Sequence, residues 1–172
     1  MALAGLAAIG ILGGLLFGLS KLFPSDNPVI AGGGSEIGAQ YEKALQKNPK
    51  DTEALAKLVE LHQEQEQYEP AIGYLEQLIA LKPEDMNLYF QKAGLYAIMG
   101  RKDKEEASYD QILAKQGDNV MALTNKAILR STQGDLDTAR TLFAKAEAAV
   151  PEGELKKTIQ DVAKDWLNSS AP

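Results

Sequence analysis

Pro49, Pro83, Gly117 and Pro151 follow one another at intervals of 34 residues. A fixed period of that length constrains the fold more than any other feature of the chain. It marks helix-turn-helix units, each too small to bury its own apolar face, that stack side by side into a solenoid. Such an array offers an extended surface to a partner and rarely carries chemistry of its own.

The period holds column by column. Eight residues before each mark lie Tyr41, Leu75, Tyr109 and Phe143, and five before lie Ala44, Leu78, Ile112 and Ala146. Twelve before lie Ile37, Ala71, Glu105 and Ala139; twenty-eight before, Leu55, Tyr89 and Leu123; twenty-four before, Val59, Ala93 and Ala127. Bulky residues recur where two helices must fill the space between them, and small ones where they approach closely. With Gly100 and Gly134 sharing a further column, the chain resembles the tetratricopeptide repeat (TPR) family over residues 36–168. The implied fold is all-α, a right-handed solenoid of about three helix-turn-helix repeats.

The predicted units are 52–83, 86–117 and 120–151, with helices near 52–65 and 68–81, 86–99 and 102–115, and 120–133 and 136–149. Gly100 and Gly134 suit left-handed turns between paired helices. Pro83 and Pro151 stop the second helix because they cannot donate the backbone bond that continuation needs. Asp51, Asp85 and Asn119 share a column where a short polar side chain caps the next helix. Residues 35–49 read as a half repeat, a lone second helix. Residues 154–168 place Leu155, Ile159, Val162 and Trp166 on one face, as expected of a terminal cap with Trp166 largely buried. Residues 169–172 form a short tail. Glu105 stands where the family prefers Ala, Lys92 and Lys126 where it prefers Leu, and His62 and Arg130 where Tyr96 fits the pattern; the lysine stems are expected to snorkel.

Ala2 to Leu19 is an uninterrupted run of apolar residues, extended by Ser20, Lys21, Leu22 and Phe23. A helix from Ala2 to Phe23 covers about 30 Å, enough to span a bilayer. The expectation is a single transmembrane helix over 1–23. A removed signal peptide is the alternative; the absence of a basic residue before the run and its length favour the anchor. Gly10, Gly14 and Gly18 repeat every four residues and line one helix face, a pattern that suits close packing against another membrane helix. Residues 24–35, with two prolines and three consecutive glycines, read as a tether. Lys21, Lys43 and Lys47 lie beyond the apolar run, so the positive-inside rule sets the repeats on the cytoplasmic or stroma-like side, the periplasmic or lumenal side being the other choice.

The chain carries 18 Lys and Arg against 24 Asp and Glu, a net charge of −6. That balance argues against nucleic acid, which needs a basic footprint. It has no cysteine, hence neither a disulfide framework nor a thiol nucleophile. Its single histidine, His62, falls in a packing column without convergent partners, and Gly32-Gly33-Gly34 lacks the Lys-Ser/Thr of a phosphate loop. No catalytic residue, cofactor site or metal site is expected, and the chain does not read as an enzyme.

In this family the first helix of each pair lines the concave face, so the resemblance implies a partner-binding groove. Its residues would be Glu53, Ala56, Glu60, Gln63 and Glu64 in the first unit; Asn87, Phe90, Gly94, Ala97 and Ile98 in the second; and Met121, Thr124, Ile128, Ser131 and Thr132, with Asn125 at the edge, in the third. The groove reads acidic at one end, with an apolar stripe of Phe90, Ile98, Met121 and Ile128 further along. The basic clamp with which some relatives hold chaperone tails is absent, since Glu60, Gly94 and Ile128 stand on those faces. An amphipathic helix with a basic end suits it better. The reading is a membrane-anchored protein-protein interaction module, an assembly factor or scaffold subunit of a membrane complex. In layout it is similar to anchored tetratricopeptide proteins of photosynthetic (thylakoid) and translocon assemblies. The alternative is a periplasmic or secreted binding module released from a signal peptide.

Overall fold

A computed structural model of the chain describes residues 33–169. Eight helices follow one another there without a strand: α1 Gly33–Lys47, α2 Thr52–Glu64, α3 Tyr68–Leu81, α4 Met86–Ile98, α5 Lys102–Lys115, α6 Val120–Thr132, α7 Leu136–Ala148 and α8 Glu154–Ser169. Each packs mainly on its neighbours in sequence, the contact pattern of a stacked array. No helix among the described residues is long and apolar enough to cross a membrane. The expected anchor at 1–23, with Gly10, Gly14 and Gly18, lies outside the described residues, as does most of the tether at 24–35.

The periodic residues make the helix boundaries. Asp51 accepts bonds from the backbone N–H groups of Glu53 and Ala54, Asp85 from that of Asn87, and Asn119 from that of Ala122. These caps satisfy donors that the first turn leaves without partners. Asp135 does the same for α7 through Thr138. Within a pair the chain reverses through one left-handed residue, Gly100 at φ 68° and Gly134 at φ 81°. In the first pair the same column holds Glu66 at φ 58°, where a side chain is strained.

The columns become the core. Leu55, Val59, Leu75 and Leu78 pack with Leu88, Leu95 and Tyr96; Tyr89, Ala93, Tyr109 and Ile112 with Ala122 and Leu129; Leu123, Ala127, Phe143 and Ala146 with Ile159 and Ala163. Each cluster thus bridges one repeat to the next. In α8 the terminal cap is carried by Ile159, fully buried, and Ala163. Trp166 is only half-buried and Leu155 is exposed, which corrects the expectation of a buried tryptophan. Trp166 packs against the third cluster from its margin, partly buried.

Candidate functional site

The first helices α2, α4 and α6 turn a row of side chains away from the packing columns. At one end Glu53, Glu60 and Glu64 are exposed, as the acidic end requires. Lys57, however, donates to Glu60 at 2.8 Å, so that end carries a compensating charge the sequence reading did not count. Ala56 and Gln63 are half-buried beside them. On α4, Asn87, Gly94 and Ala97 are exposed, and Ile98 is 57% exposed. Met121 opens α6 at 38% exposure, Asn125 and Ile128 are half-buried, and Thr132 is exposed.

The four apolar residues do not form one uniform stripe. Phe90 packs against the second cluster, with its ring 6.4 Å from that of Tyr109, and Ile128 packs against the third. They make a half-buried floor. Ile98 and Met121 are the exposed points, one closing α4 and the other opening α6. By repeat position they are eleven residues apart along helices of the same direction, about 16 Å at 1.5 Å per residue. Ile98 and Met121 are thus offset along the array, with Phe90 and Ile128 at intermediate positions of α4 and α6.

Thr124 and Ser131, expected in the groove, are instead buried, and neither hydroxyl has a hydrogen-bond partner. They lie seven residues apart on one side of α6, opposite Ala122 and Leu129, which pack on the preceding repeat. The terminal helix α8 also packs against α6.

Away from the groove, the departures from pattern form a charge ladder missed in the sequence. Lys92 is 8% exposed, donates to Gln111 Oε1 at 3.0 Å and lies 3.9 Å from Glu76. One period later Lys126 meets Asp110 at 2.5 Å and Glu106 at 3.1 Å, and Arg130 also reaches Glu106. Glu76 and Asp110 share a column, as do Lys92 and Lys126, so the signal was present as two periodic columns of opposite sign. Burial pulls the Lys92 ammonium below its usual range, against the opposing pull of Glu76. Burial acts the same way on Lys126, but the bonds and charges of Asp110 and Glu106 outweigh it and raise the group. Glu105 accepts a bond from the Tyr109 hydroxyl at 3.3 Å, and burial holds its carboxyl above the ordinary value.

His62 stacks on Tyr74, ring centroids 5.4 Å apart, and its Nδ1 lies 2.7 Å from Gln67 Oε1. These contacts are structural. Among the described residues no group of three or more His, Asp or Glu side chains is placed to hold a metal ion.

Comparison with known proteins agrees with this geometry. Residues 38–104, from α1 to the start of α5, match the family model described as Tetratricopeptide repeat. A solved structure titled MamA MSR-1 C2 is similar at 18% identity, with a TM-score of 0.53 over 69% of this chain and 68% of that one. No curated protein matches. The fold is thus a helical-repeat array similar to that of tetratricopeptide proteins.

Proposed function

We propose that the chain is a protein-binding module whose groove on α2, α4 and α6 takes an amphipathic helix of a partner, and that residues 1–23 anchor it to a membrane. The observation that carries the groove reading is the exposure of Ile98 and Met121 at either end of the Phe90–Ile128 floor. Surface apolar residues aligned over a half-buried floor mark a place where a helix lays its own apolar face. The offset along the helix axes alone corresponds to about three helical turns of ligand. The acidic residues Glu53 and Glu64 favour a basic flank on that ligand. The Ala2–Leu19 run supports the anchor, and an anchored module of this kind suits an accessory or assembly subunit of a membrane complex.

The test places a photo-crosslinking amino acid at Ile98 or Met121 and, as a control, at exposed Arg140 of α7. A protein adduct from the two groove positions and none from the control is expected. Adducts from all three alike, or from the control alone, overturn the groove reading. For the anchor, the intact 18.6 kDa chain is expected in the alkali-washed membrane pellet. A shortened chain in the soluble fraction instead supports the released module.

A further inference from the structure

In a tetratricopeptide array a second helix has two neighbours. Here α3, α5 and α7 each pack most extensively on the first helix of their own pair, and less on the first helix that follows. Among the described residues α1 packs on α2 alone and lacks the larger of the two contacts. The columns register the loss. Ala71, Leu75 and Leu78 of α3 and Ala139, Phe143 and Ala146 of α7 are at most 4% exposed. Their counterparts on α1 are Ile37, 40% exposed, and the half-buried Tyr41 and Ala44. A first helix in register would occupy residues 18–30, one period before Thr52–Glu64, but Pro24 and Pro28 stand inside that window.

The charges around the open strip decide what fits it. Glu36 lies in the first turn of α1 and Lys47 in the last, with Lys43 one turn before it, and all three are exposed. A second α1 laid antiparallel sets Ile37 of one copy opposite Ala44 of the other. The same register brings Glu36 opposite Lys43 and Lys47 at both ends of a two-fold pair. A parallel arrangement sets Glu36 level with Glu36 and the lysines level with lysines, and forms no pair of opposite charges. A purely apolar helix would cover the strip and leave the charges unused. We propose that α1 is a self-association face, through which two copies of this chain pair antiparallel, each covering the other's open strip. The strip is one 15-residue helix wide, well below a standard interface, so the pairing is weak and reversible.

The chain has no cysteine of its own, so introduced cysteines report single contacts. The full chain is prepared in excess detergent micelles as two populations, Ile37→Cys and Ala44→Cys, then mixed and oxidised. Disulfide-linked dimers are expected in the mixture at several times the yield of either population alone. Lys43→Glu with Lys47→Glu in both populations should cut that yield several-fold, and adding Glu36→Lys to the same chains should restore it. Thermal melting of each variant is run in parallel, and the charge changes, all at exposed positions, should leave it unaltered. Equal yields from mixed and single populations, or yields indifferent to the charge changes, overturn the proposal. An intramolecular disulfide from Ile37→Cys to a cysteine placed at Leu6 or Leu15 also overturns it, assigning the face to the chain's own N-terminal segment.

Discussion

Glu66 shows how one side chain departs from an otherwise periodic design. It holds at φ 58° the left-handed position that Gly100 and Gly134 hold in the next two pairs. An L residue with a Cβ is strained there by about 1 kcal/mol, so Glu66→Gly is expected to raise the urea midpoint by about that amount of stability. A fall in stability would mean that the Glu66 side chain makes a compensating contact. Glu105 departs in another way, as a half-buried carboxyl in a column otherwise held by Ile37, Ala71 and Ala139. Burial raises its folded value above that of the unfolded chain, against smaller opposing effects of Tyr109 and Lys102. The folded state then holds the proton more tightly. Its contribution is present at pH below the ordinary carboxyl range and is lost as pH rises through the folded value. Stability measured across that window should fall less steeply with rising pH in Glu105→Gln than in the parent; an unchanged slope would contradict this assignment. Both departures were visible as odd residues in aligned columns, but the sign of each effect needed the backbone angle or the burial.

Helices repeat the lesson at larger scale. Their boundaries were legible to within one or two residues because caps, glycines and prolines act locally, on the chain within a turn of themselves. Which face of a helix is covered depends on neighbours distant in sequence, and there the reading erred. Thr124 and Ser131 occupy groove positions by register, yet both are buried, on a helix that also packs against α8. Trp166 looked like the anchor of the cap, yet Ile159 holds the central place. Replacing a buried Ile by Ala costs about 2–5 kcal/mol, whereas a half-buried Trp loses only part of its contacts. Ile159→Ala should therefore destabilise the array more than Trp166→Ala, as read from chemical denaturation curves. The reverse order would return the tryptophan to the core. The charge ladder from Lys92 to Arg130 was also a product of stacking. It runs between α3, α4, α5 and α6, and no single helix carries both signs in a recognisable motif.

At the scale of the molecule, the period of 34 was enough to identify a stacked array, because such an array is the sum of nearest-neighbour contacts that each repeat encodes for itself. The proposed groove was legible only in part. Ile98 and Met121 are exposed as the register implies, but Phe90 and Ile128, chosen from sequence as groove residues, also pack against the core. Charged substitutions at those two positions would confound binding with folding. Ile98 and Met121 separate the two, since both are exposed and neither belongs to a core cluster. An exposed apolar anchor at an interface contributes about 2 kcal/mol, so losing two reduces affinity well over tenfold. The most direct measurement is partner capture from detergent-solubilised membranes by the full chain carrying Ile98→Asp and Met121→Asp, with thermal melting followed on the same sample. The account predicts that capture falls more than tenfold while the melting curve stays where it was. Undiminished capture by the double variant would contradict it.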